Sequence, residues 1–202
     1  MTRVTPGLYR AGVRDRRLTI GAFAGSRPPI TPFQMASAAV VRLHREGADQ
    51  AWQTLDASFV RSPYWGIAGT RQAGWAAAIR TAFQGYRAMA ANDMRPVIST
   101  GLRRTLTFPP DELGVYVDVL LLDPDGYVPR LVLWDANAFT REIAVLYASP
   151  AWRAIEDEMG DGRVPFTEVW HLRSGAQESI SASDAASELS QVAGIVHRLA
   201  GP

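Results

Sequence analysis

The chain contains no cysteine, which removes disulfides, thiolate metal sites and cysteine nucleophiles together. It contains no lysine either, so all 21 basic residues are arginine. Amine chemistry goes with it: a guanidinium stays protonated at any usable pH, so it clamps phosphate or carboxylate but makes a poor general base. The same arginine and alanine bias is what a GC-rich genome produces. A long apolar run is missing too. The longest, residues 115–122, is broken by Asp118 and falls far short of a bilayer span. The first 21 residues scatter arginines instead of placing a charged start before an apolar block, unlike a signal peptide. These absences predict a soluble, cytoplasmic protein with no membrane partner. Net charge is only +1, so any anion site must be local. No Gly-x-Ser-x-Gly elbow, P-loop or dinucleotide fingerprint occurs, and His44, His171 and His197 form no metal-ligand spacing.

What is present fits one globular unit: 202 residues, 47% of them hydrophobic. Charge is unevenly placed. Residues 1–30 hold six arginines against one acid, whereas residues 151–202 hold four arginines against eight acids. The organisation read from this is an arginine-rich extension over residues 1–30 and a single α/β domain over residues 31–202. Within the extension, residues 7–12 and 17–23 are expected to form a short ribbon. Thr31-Pro32 reads as a helix cap with proline in the first turn, opening a helix to about residue 46 that Gly47 closes or interrupts. Apolar residues Trp75, Ile79, Phe83, Tyr86 and Ala90 recur at helical spacing and predict a helix over residues 70–91. The period then changes to two, predicting strands at 97–108, 115–122 and 127–135, the last two joined by the turn signal Asp123-Pro124-Asp125-Gly126. A helix at 138–159, strands at 166–172 and up to 180, and a closing helix at 183–199 complete the expectation of a central mixed sheet with an αβββαβ core flanked by helices.

Strict alternation places Asp118 among apolar neighbours and points Asp135 and Asn137 to one common face. A carboxylate in such a setting needs a partner, or its pKa rises. Reflection about Asp125-Gly126 puts Asp118 near residue 133, a diagonal from Asp135. Magnesium or manganese would relieve the repulsion of two such carboxylates. The alternative is structural: Asp118 pairs with Arg103 or Arg104, while Asp135 or Asn137 caps the helix expected from Ala138.

This element order, with Gly114-Val115-Tyr116-Val117-Asp118 on the second strand and Asp135-Ala136-Asn137 closing the third after Leu131-Val132-Leu133-Trp134, resembles the core of the PD-(D/E)XK phosphodiesterases, especially the RecB-like nucleases. Residues 101–199, about half the chain, carry the resemblance. It implies a magnesium or manganese site that cuts nucleic acid, with Asp118 and Asp135 as metal ligands, Asn137 orienting water or phosphate, and Tyr147 supporting the site from the next helix. The motifs are degenerate. Asn137 stands where the family has lysine, Ile143 where RecB-like members have glutamine, and the helix before the strands carries no acid between residues 70 and 91. The resemblance therefore implies a nucleic-acid-binding protein, with DNA favoured over RNA, that is either a weak magnesium-dependent nuclease or a catalytically inactive descendant.

Arg10, Arg14, Arg16, Arg17, Arg103 and Arg104 are the candidate phosphate contacts, because a planar fork binds two oxygens at once; a solvated charged turn is the alternative. Tyr64, Trp65, Trp75, Phe83 and Tyr86 could stack on bases, although their spacing mostly predicts core. A different class of function also fits: a non-enzymatic structural or interaction subunit of a larger assembly, docking protein partners through its basic start and acidic end. A small-molecule pocket lined by tryptophans is a third.

Overall fold

In the computed structural model, residues 2–14, 32–61, 70–134 and 139–201 are described. The sheet is organised around the hairpin. β3 (Asp111–Asp123) returns through Pro124 and Asp125 into β4 (Gly126–Leu133), with pairs running from Asp123↔Gly126 to Val119↔Arg130. Gly126 has φ 141°, and a Cβ there would fall on the Arg163 carbonyl oxygen, the acceptor for the Tyr127 N–H at 2.8 Å. Gly126→Ala is accordingly expected to cost about 2 kcal/mol in urea unfolding.

β2 (Val97–Phe108) runs antiparallel to β3 along its other side. β5 (Phe166–His171) lies parallel to β4, and β6 (Ala176–Ser181) antiparallel to β5. A two-residue β1 (Arg3–Val4) pairs parallel with β3 at Glu112 and Leu113. The helices are α1 (Pro6–Arg14), α2 (Pro32–Glu46), α3 (Ala48–Arg61), α4 (Thr70–Ala90), α5 (Arg141–Met159), α6 (Ala182–Ser187) and α7 (Leu189–Ala200). The expected αβββαβ core is α4-β2-β3-β4-α5-β5, inside a mixed six-stranded sheet.

Two apolar clusters separate the layers. Leu113, Val115, Val117 and Leu131 face α1, α5, α6 and α7. Val119, Leu121, Val132 and Trp170 face α2, α3 and α4. Burial on both faces accounts for the near-continuous apolar runs of β3 and β4. No helix among the described residues is long and apolar enough to cross a membrane.

Four local expectations need correction. Residues 7–12 are helical, not a ribbon strand: Leu8, Tyr9, Gly12 and Val13 recur at a spacing of four and turn inward, and Gly12 allows α1 to approach Leu199. Residues 17–23 lie outside the described residues. Beyond Gly47 (φ 92°) a further helix, α3, buries Ala51 and Leu55. The closing helix is two helices, α6 and α7, parted at Glu188. Trp75 is 39% exposed, whereas Ile79, Phe83 and Tyr86 of the same stripe are buried; Tyr64 and Trp65 lie outside the described residues.

Candidate functional site

Asp118 stands where the sheet forks. The β3–β4 ladder stops at Val119↔Arg130, while β4 continues along β5 to Leu133↔His171. On the side of β3 that meets β4 and β1, residues 114–118 have no strand partner among the described residues. Extending the register sets Asp118 opposite Leu131, two residues from the expected position, because the hairpin turns at Pro124-Asp125 and not at Asp125-Gly126. Strict alternation also fails. Val117 belongs to the α5 side of the core but Val119 to the α4 side, a change of phase beside Gly101, whose φ of 65° breaks the pleat of β2.

The Asp118 side chain is fully buried. Its Oδ2 accepts the Val132 N–H at 2.8 Å, and its Oδ1 accepts the Ser37 hydroxyl from α2. Neither arginine of the structural alternative reaches it. Arg103 lies over the Tyr116 ring at 6.0 Å, and Arg104 forms two 2.6 Å bonds to Glu158. The nearest positive influence is Arg10 of α1. Burial outweighs it and the two donors, so the Asp118 carboxyl is pushed above the usual carboxylate range.

α1 closes the fork, and α5 explains why it docks there. Pro150 sits inside α5 and has no N–H, which frees the carbonyl four residues earlier. That carbonyl, Leu146 O, accepts the Tyr9 hydroxyl at 2.8 Å. Burial pushes the Tyr9 phenol pKa up, so it remains a donor. Tyr147 in turn donates to the Arg10 carbonyl at 3.1 Å. What remains is a cavity of about 20 Å³, lined by Tyr9, Arg10, Tyr116, Leu131, Tyr147 and Pro150 among others, space for roughly one water molecule.

Asp135 and Asn137 lie outside the described residues, as do Arg16, Arg17 and the side chain of Arg14. The expected cap is corrected: α5 begins at Arg141, and Thr140 caps it by accepting the Ile143 N–H. Among the described residues no group of three or more His, Cys, Asp or Glu could hold a metal. The surroundings of Asp118 do not fit a hydrated divalent cation: both oxygens are engaged by protein donors and none of its surface is exposed.

A second charged centre went unnoticed in the sequence. Arg130 of β4 is fully buried; its Nε donates to Glu168 at 2.7 Å, its Nη2 donates to Asp93, and its guanidinium lies 3.9 Å over the Trp170 ring. Arg95 closes the ring of charges through 2.7 Å and 2.8 Å bonds to Glu168 and Asp93. Arg95 bonding holds the Asp93 carboxyl far below its ordinary value. Nearby, Tyr86 shares a 2.7 Å bond with His44, whose pKa is pushed down to about 4 by burial and then by Arg130. An arginine inside Val128-Pro129-Arg130-Leu131-Val132 and a glutamate inside Thr167-Glu168-Val169-Trp170 were the available signals.

No protein-family model and no curated protein matches the chain. Among solved structures, it is similar to a crystal structure described as a "putative exonuclease" from Eubacterium rectale, at 10% identity and a TM-score of 0.49, over 92% of this chain and 76% of that one. A likeness of that degree concerns backbone arrangement and transfers no residue roles.

Proposed function

We propose that the chain is a nucleic-acid-binding domain of PD-(D/E)XK-like architecture in which the phosphodiesterase centre is closed, the inactive descendant that its motifs imply. One observation carries this reading: Asp118, the family's acid on the second core strand, is fully buried and spent on Ser37 and Val132. A metal-dependent nuclease needs that carboxylate open to both ion and substrate. With Asp118 withdrawn and Asn137 in the lysine slot, Asp135 is left without the partners that activate water. Tyr147 ties α5 to α1 and has no part in cleavage. DNA is the favoured ligand.

Calorimetric titration with magnesium or manganese, combined with incubation of labelled single- and double-stranded DNA, tests it. The expected result is no saturable metal heat and intact DNA that nevertheless binds the protein, more tightly than RNA of the same sequence. Manganese-dependent cleavage that disappears in Asp118→Asn would overturn the reading.

The second reading, a non-enzymatic subunit of a larger assembly, draws on one corner of the sheet. Met94, Val97, Ile98 and Leu122, four of the five exposed large apolar residues among those described, gather where β2 begins and β3 ends. Clustered exposed apolar surface of this kind suits a protein partner.

A further inference from the structure

Among the described residues, the helical layer of α2, α3 and α4 covers only the half of β3 that holds Val119 and Leu121. On the other half, the residues pointing away from the α5 side are polar. Arg103, Thr105 and Thr107 of β2 are exposed, in register with Tyr116, Gly114 and Glu112 of β3, and Arg3 of β1 completes the row beside Glu112. Arg3 Nη2 donates to Thr105 Oγ1 at 2.9 Å, and Arg45 of α2 reaches the Thr100 carbonyl at 3.4 Å.

The ionic partners of the arginines set this row apart. Arg42, Arg80, Arg95, Arg104, Arg130, Arg141 and Arg153 all bridge carboxylates. Arg3, Arg45 and Arg103 bridge none among the described residues; Arg3 and Arg45 are steadied by uncharged groups of β2, and Arg103 by the Tyr116 ring of β3. Arg87, Arg163 and Arg173 are also unbridged there, but they stand on separate elements. The contact points at residues 100, 103 and 105 span roughly 17 Å of strand, with Glu112 the single acid in the row. In a chain of net charge +1, this is a local concentration of uncompensated positive charge, and its complement is a polyanion with regularly spaced charges.

The geometry points to Arg45, Arg103 and Arg3 as a track for the phosphate backbone of a nucleic-acid strand, laid along the face of β2 on which Arg103, Thr105 and Thr107 are exposed. Guanidiniums held against a carbonyl, a ring and a hydroxyl are partly ordered before binding, which lowers the entropy lost on contact. No base edge is read by such a row, so the track implies binding that depends on salt and little on sequence. The inference rests on the nucleic-acid reading above and names its surface.

The test is fluorescence anisotropy of a labelled oligonucleotide over a range of salt concentrations, using the parent, Arg45→Gln, the double variant Arg3→Gln/Arg103→Gln, and the control Arg141→Gln/Arg153→Gln on α5. Thermal melts confirm that each variant is folded. The track variants are expected to weaken binding about tenfold and to reduce the slope of log affinity against log salt by about 0.7–0.9 per arginine removed, with the control unchanged. If the parent binds and both sets of variants match it, the track is overturned while the nucleic-acid reading stands. If the parent binds no oligonucleotide even at low salt, that reading fails and the track falls with it.

Discussion

Arg130→Met is expected to destabilise the protein by about 3–5 kcal/mol, a fall of about 10 °C in melting temperature for a chain of this size. The loss comes from what is left behind. Glu168 and Asp93 accept from Arg130 in a site where the guanidinium has no exposure, so removing the cation strands two carboxylates with only Arg95 between them. Arg130→Lys is not expected to rescue, since a point charge cannot serve both acids and stack on Trp170 as a planar fork does. The double variant Arg130→Met/Glu168→Met should recover a large part of the loss, because it removes a stranded charge along with its partner. The pH dependence has a definite sign. The folded-state pKa of Asp93 is depressed, so its contribution is present above an unfolded value of about 3.9 and is lost as pH falls below it. Urea unfolding of the three variants reads all of this. A loss below about 1 kcal/mol for Arg130→Met would show that the network contributes nothing to folding.

Asp118 should respond in the opposite sense to isosteric replacement. Asp118→Asn keeps an acceptor for Val132 N–H and a polar partner for Ser37 while removing a buried charge. It is expected to stabilise the protein by about 1–2 kcal/mol at neutral pH. Asp118→Ala leaves both donors unanswered and opens a void, costing about 3 kcal/mol. The folded-state pKa of Asp118 is raised, so its favourable contribution is complete below an unfolded value of about 3.9 and is lost as pH rises through the folded value. The parent should therefore lose stability relative to Asp118→Asn on going from acid to neutral pH. Melting curves with and without magnesium check the alternative: a metal ligand would give the parent a magnesium-dependent gain that the Asn variant lacks.

The features legible in the sequence rest on local rules. The turn residues at Pro124-Asp125-Gly126, the proline in the first turn of α2 and the apolar stripe of α4 each act within one or two turns of chain, and all three elements occur where the pattern places them. What escaped depends on contacts distant in sequence. Residues 7–12 are a helix because α5 and α7 offer them a surface more than 130 positions away. Of the two acids that Arg130 bonds, Glu168 lies 38 positions on, in a parallel strand whose register no local pattern records, and Asp93 lies 37 positions back. For Asp118 the sequence correctly marked a carboxylate in an apolar strand. Its orientation turned on a positive φ at Gly101 in the neighbouring strand, which alternation does not register.

The gap that Pro150 leaves in α5 has a further consequence for how this chain tolerates change. An imperfection in one helix is the socket that fastens another, through a phenol inserted at Leu146. A substitution that mends α5 by supplying the missing amide would strengthen that segment while taking the acceptor from Tyr9, leaving β1 and the Tyr147 and Arg198 bonds to hold the start of the chain. The docking of α1 thus leans on a flaw in another helix, and repairing that flaw would weaken the attachment it provides.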